Sequence, residues 1–112
     1  MSIQSKTKQS DTYYRVMDLI HRKPDITQRE LASQTGISLG SIHYCLKAFA
    51  HKGWLKVENF KNNPDKSVYL YLLTAEGMSQ KTKLAYNFLR RKKKEYDQLK
   101  KLIKDLSKEL NG

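Results

Sequence analysis

The sequence predicts a mainly α-helical fold with one small β-hairpin, ordered as three helices, the hairpin and a long C-terminal helix. Three observations carry this expectation. From Thr27 to Gly53 apolar residues recur three and four apart, broken once at Gly36-Ile37-Ser38. The period then switches to two on either side of KNNPDKS, a loop of turn formers and lysines. After Thr74 there is no proline, and the helical period continues to Leu110.

Residues 1–10 are polar and basic without periodicity and read as a disordered arm. A first helix is expected from Asp11 or Thr12, with Tyr14, Val16, Met17, Leu19 and Ile20 as its apolar contacts. Pro24 marks its end, because the residue before a proline is pushed out of the α region. Thr27 and Glu30 spell a T-x-x-E capping box, in which the hydroxyl accepts from the N3 amide and the carboxylate from the N-cap amide. A second helix therefore starts at Gln28, with Leu31 and Ala32 facing inward. Gly36 supplies the positive φ needed just past its end. Ser38 N-caps a third helix that carries Ile42, Cys45, Leu46 and Phe49 on one face and Gly40, Ser41, His43, Tyr44 and Lys47 on the other. Trp54, Val57 and Phe60 belong to a first strand, and Val68 to Leu73 form a second. Thr74 caps the final helix, with Glu76 in its first turn. Gly77 lowers helix propensity there by roughly 1 kcal/mol relative to alanine, so close packing against the hairpin or the first helix is its expected reason.

On the final helix, Leu84, Ala85, Phe88 and Leu89 make a wide apolar face expected to cover the core. Ala85, Leu89, Lys92, Tyr96, Leu99, Ile103, Leu106 and Leu110 then alternate spacings of four and three, a heptad seam interrupted by one lysine that can snorkel. With the core already accounted for, a second copy is the expected cover. Residues 75–112 read as a dimerisation helix with contacts at Leu89, Tyr96, Leu99, Ile103, Leu106 and Leu110. The alternative is an amphipathic helix folded back on its own domain.

The 112 residues carry 22 Lys and Arg against 11 Asp and Glu, a formal net charge of +11, which favours a polyanionic partner through counterion release. No long apolar run and no apolar leader is present in the sequence, so a cytoplasmic protein without membrane contact is expected. Cys45 lies on an apolar helix face and reads as core. His21, His43 and His51 have no paired ligand spacing with it, so neither metal nor cofactor is expected. Without a glycine-rich phosphate loop or nucleophile elbow, the chain reads as non-enzymatic. Two short helices joined by a tight turn, the second with small, hydrogen-bonding and basic residues outward, suit insertion into a DNA major groove. Residues 11–74 therefore read as a winged helix-turn-helix, with the recognition helix at about 39–52 and the hairpin as its wing. A dimer would take double-stranded DNA as a near-palindromic operator, with half-sites about 34 Å apart. A protein-interaction scaffold using the same winged helix and C-terminal helix is the competing reading.

The chain also resembles the MarR family of transcription regulators. The carriers are Q-R-E-L-A at Gln28 to Ala32, G-I-S at Gly36 to Ser38, S-I-x-x-x-L-K at Ser41 to Lys47, K-G-W at Lys52 to Trp54, and L-T-x-x-G at Leu73 to Gly77. S-L-G-S-I-H-Y-C-L-K-A, N-F-K-N and Y-L-L-T-A-E-G narrow the resemblance to short MarR-type regulators associated with bacterial exopolysaccharide (EPS) gene clusters. The resemblance implies DNA contacts for Ser38, Gly40, Ser41, His43, Tyr44 and Lys47. It also implies wing contacts to a minor groove or backbone over about 61–67, through Lys61, Asn62, Asn63 and Lys66. Thr27 and Gln28, at the start of the second helix, complete the set. Lys66 beside Asp65 stands where many members carry arginine, and Leu39-Gly40 replaces a common polar pair, which leaves base reading to Ser41, His43 and Tyr44. No inducer is readable, and the rings of Tyr13, Tyr14, Tyr86 and Phe88 near the helix junction are read as core packing.

Overall fold

In the computed structural model, residues 3–59 and 69–112 are described. Their elements are α1 (Ile3–Arg22), α2 (Gln28–Thr35), α3 (Leu39–His51), β1 (Leu55–Asn59), β2 (Tyr69–Leu73) and α4 (Ala75–Asn111). The fold is mostly helical, with a two-stranded antiparallel hairpin and a long C-terminal helix, as the sequence predicts.

α1 corrects the expected arm, because its helix already runs at Ile3 rather than starting near Asp11. No glycine or proline precedes Pro24. Once the docked middle of α1 has nucleated, extending it through polar residues is cheap. The Gln9 amide nitrogen donates to the Tyr13 hydroxyl one turn on (3.3 Å), and Asp11 pairs with Arg91 of α4. Past Arg22 the chain turns through Pro24, and the Ile26 amide donates to the Lys23 carbonyl (3.0 Å).

The local signals around α2 and α3 appear as expected. Both halves of the Thr27–Glu30 capping box are formed, and Gly36 sits at φ 73° with its amide on the Ala32 carbonyl (2.9 Å). Thr35 is a buried polar residue that sequence periodicity does not reveal. Its hydroxyl donates to the Leu31 carbonyl (2.6 Å) and accepts from the Ile37 amide (3.2 Å), which pins the turn. Arg15 donates to the Thr35 carbonyl (2.8 Å) and ties that turn to α1.

The core joins Val16, Met17 and Ile20 of α1 to Ile26, Leu31 and the inner face of α3, with Leu55 and Tyr71 closing it from the hairpin. Phe49 is its centre, fully buried, with Tyr13 edge-on at 5.0 Å and Trp54 at 5.9 Å. Burial pushes the Cys45 thiol above its ordinary pKa, the behaviour of a packing residue.

β1 and β2 pair in the register Leu55↔Leu73, Val57↔Tyr71 and Asn59↔Tyr69. Alternation puts these six residues on one face of the hairpin. Trp54 lies just before β1 rather than within it. The expected strand residues Phe60 and Val68, and the wing residues Lys61, Asn62, Asn63 and Lys66, lie outside the described residues. The Tyr71 amide donates to the Pro24 carbonyl (2.8 Å), so the α1–α2 loop covers the far edge of β2.

α4 starts at Thr74, whose hydroxyl accepts from the Gly77 amide (3.0 Å) and donates to the Gly53 carbonyl (2.6 Å). Gly77 is buried against the backbone of Trp54, where the chain enters the hairpin. The helix then docks along α1: Lys81 pairs with Asp18 (3.3 Å), Phe88 stacks on Tyr14 (5.0 Å between centroids), and Arg91 pairs with Asp11. Leu84 packs against the core, whereas Leu89 and Tyr86 are exposed, so the expected cover is narrower than the sequence implied and the Tyr86 ring is not core packing. At 1.5 Å per residue α4 is roughly 55 Å long, and its second half stands clear of the domain.

Candidate nucleic-acid interface

The outer face of α3 is set by its caps. Ser38 accepts from the Ser41 amide (3.1 Å), and its hydroxyl donates to that of Ser41 (2.9 Å), so both serines are fixed at the helix start. Gly40, Ser41, His43, Tyr44 and Lys47 are all exposed, while Ile42, Cys45, Leu46 and Phe49 are buried. One helix thus carries a fully apolar inner face and a polar, basic outer one. Tyr44 is 64% exposed. The Leu39 and Gly40 amides of the first turn, the Ser41 hydroxyl and the Lys47 ammonium offer donors to phosphates and base edges along one side.

Gln28, Leu46, Lys47, Ala50, Val57 and Tyr69 line a cleft of about 330 Å³ between α3 and the hairpin. Across the tyrosine pair, Thr27, Arg29, Leu39 and Tyr69 border a second hollow of similar size at the start of α2. Tyr69 therefore separates two open grooves, and the sequence reading missed it. The signal for it was the i, i+2 spacing of Tyr69 and Tyr71, which puts both rings on the α3-facing side. Thr27 is exposed but engaged in its capping box, and Gln28 is half-buried with its amide nitrogen 3.4 Å from the Tyr71 hydroxyl. Both are structural at the least, linking the start of α2 to its cap and to β2. The Lys23 ammonium hydrogen-bonds Glu30 (2.8 Å), which lowers the carboxyl's pKa and raises that of the lysine, so this corner is electrically paired.

Exposed basic residues continue from Lys47 through His51 and Lys52 of the same helix end. Lys52 lies 4.7 Å above the Trp54 ring and 5.6 Å from that of Tyr13, a cation–π seat that fixes its charge beside the hairpin. Among the described residues, no group of three or more His, Cys, Asp or Glu side chains could hold a metal ion, and no helix is long and apolar enough to cross a membrane.

Helix, helix, tight turn, exposed recognition-type helix and antiparallel hairpin define a winged helix-turn-helix. Residues 10–56 match the family described as winged helix-turn-helix DNA-binding. Among solved structures, a MarR/EmrR family transcriptional regulator from Acinetobacter sp. ADP1 is similar, at 20% identity and TM-score 0.63, over 89% of this chain and 75% of that one. The PcaV transcriptional regulator from Streptomyces coelicolor, solved with its natural ligand, is 23% identical with TM-score 0.60, over 70% of this chain. The alignment spans only about half of PcaV, 54% of its length. Streptococcus pneumoniae FabT, solved in complex with DNA, is 18% identical with TM-score 0.56, over 99% of this chain and 76% of that one. No curated protein sequence matches the chain.

Proposed function

We propose that the protein is a dimeric, sequence-reading DNA-binding transcription regulator that acts without catalysis. α3 enters the major groove, the hairpin with Lys61, Asn62, Asn63 and Lys66 reaches backbone or minor groove, and α4 pairs with a second copy through Leu89, Tyr96, Leu99, Ile103, Leu106 and Leu110. The observation that carries this reading is the outer face of α3, where Ser38, Gly40, Ser41, His43, Tyr44 and Lys47 are exposed in a row on a DNA-binding fold. The net charge of +11 supports it, and so do a structural neighbour bound to DNA and another that is a transcriptional regulator. Two recognition helices in one dimer call for a near-palindromic operator with half-sites about one helical turn, roughly 34 Å, apart. We place the protein in the cytoplasm and its targets among exopolysaccharide genes, the latter on the resemblance of its sequence motifs alone.

Selection of bound duplexes from a random pool, with affinities of the winners measured at two salt concentrations, tests the reading. An enriched inverted repeat is expected. Strongly salt-dependent binding without enrichment would reduce the protein to a non-specific binder, and no binding at all would favour the scaffold reading.

The outer face of α3 divides into two kinds of contact. Lys47 lies a turn beyond the base-facing positions, over the phosphate backbone, so Lys47→Ala is expected to weaken binding to all duplexes alike and lower the salt slope by about one. Filter binding across a salt series reads this, and a loss confined to one operator would contradict it. Ser41→Ala and Tyr44→Ala are expected instead to change discrimination between operators by about 1–3 kcal/mol. Competition between the selected repeat and single-base variants of it measures that change.

A further inference from the structure

We infer that the free half of α4 pairs with a second copy of this chain as a parallel, in-register coiled coil; this rests on the dimer reading above and adds the direction of the helices. Tyr96, Leu99, Ile103 and Leu106 are each about half exposed, and Leu110 more so. In heptad terms Leu89, Tyr96, Ile103 and Leu110 occupy a, and Ala85, Lys92, Leu99 and Leu106 occupy d. Tyr96, Leu99, Lys100 and Ile103 enclose a depression of about 150 Å³ on this face. That a–d–e–a quartet is the kind of hole that receives one apolar knob from a facing helix. In a parallel pair the knob at that level is Leu99 of the second copy. Leu102, at g, widens the apolar stripe beside it.

The residues flanking the seam decide direction. Position e holds Tyr86, Lys93, Lys100 and Ser107, so its charges are all positive; position g holds Phe88, Glu95, Leu102 and Glu109, so its charges are all negative. Antiparallel helices bring e against e and g against g, which at full overlap sets Lys93 against Lys100, leaves Glu95 facing Leu102 and forms no opposite-charge pair. Parallel helices bring g against the following e, which sets Glu95 beside Lys100 of the second copy. Lys92 is the one polar core position. Its ammonium bends back 5.1 Å over the Phe88 ring and onto Oε2 of Glu95 (3.1 Å), which draws its charge toward its own helix and leaves Glu95 Oε1 for the second copy.

Lys108 sits at f, away from the seam, and Cys45 is buried, so a spin label on Lys108→Cys of the full chain reports helix direction, with labelled wild type as control. The parallel pair is expected to give one distance of about 20–25 Å, two helix diameters. An antiparallel pair over residues 85–110 would separate the labels by more than about 30 Å along the axis and would overturn the inference while leaving the dimer intact. A charge swap gives a readout of opposite sign. Lys100→Glu is expected to weaken dimerisation several-fold, and Glu95→Lys with Lys100→Glu to restore it; a stronger dimer in the single variant would overturn the parallel arrangement. Sedimentation of wild type as a monomer at every concentration would remove the dimer itself, and the inference with it.

Discussion

Gly77→Ala is expected to destabilise the domain by about 2 kcal/mol or more, read as a fall in the denaturation midpoint. A Cβ at this position would stand 2.1 Å from the Trp54 carbonyl oxygen, 2.9 Å from its carbon and 3.2 Å from its Cα. The obstacle is backbone, so no rotamer change relieves it. That carbonyl also accepts from the Thr74 amide (3.0 Å), and Trp54 is held by its own amide on the Phe49 carbonyl (2.9 Å). Moving either partner would break the cap of α4 or the seat of the tryptophan beside the core. Alanine gains roughly 1 kcal/mol of helix propensity over glycine, but overpacking a tight contact costs about 1–3 kcal/mol and more where backbone must shift. Gly40→Ala is the matched control. It lies in α3 with nothing within 4 Å of the added carbon, so propensity alone acts there and stability should hold or rise. An unchanged midpoint for Gly77→Ala would mean that α4 does not start against Trp54.

Such contacts show where the sequence was legible. The capping box, the αL glycine at Gly36, the Ser38 and Thr74 caps and the inner face of α3 were all readable, because each depends on residues within one or two turns. Gly77 was flagged as out of place by propensity, yet its partner is 23 positions away in the chain, and no periodicity points to a carbonyl. The same holds for Arg15 on the Thr35 carbonyl, Gln28 near the Tyr71 hydroxyl, and the Pro24 carbonyl that covers the edge of β2. Start of α1 was misread for a different reason. Residues 4–12 are polar and have no apolar period, and the bonds that engage Gln9 and Asp11, to Tyr13 and to Arg91 of α4, leave no trace in local spacing. Of the residues proposed to face DNA, those of α3 could be placed from the helix face alone. Thr27 and Gln28 carry structural bonds that a motif reading does not weigh, and Tyr69 emerged only once β2 was laid against α3.

Leu99→Asp with Leu106→Asp is expected to convert the dimer to monomers and to lower affinity for the inverted repeat by about 10²- to 10⁴-fold, the advantage that linkage gives a second half-site. Both residues are about half exposed in the single chain and contact no part of the winged helix core, so the domain should fold unchanged by circular dichroism. In the pair, four carboxylates would face one another across two adjacent d layers, where desolvation and like charge both oppose association. Binding to an isolated half-site should persist, since α3 and the hairpin are untouched, and that persistence separates loss of pairing from loss of the reading head. Sedimentation velocity with the two duplexes gives both results. A species of unchanged mass would move the apolar face of α4 from the dimer to some other cover, whereas loss of half-site binding together with helicity would mean that this helix supports the domain from within.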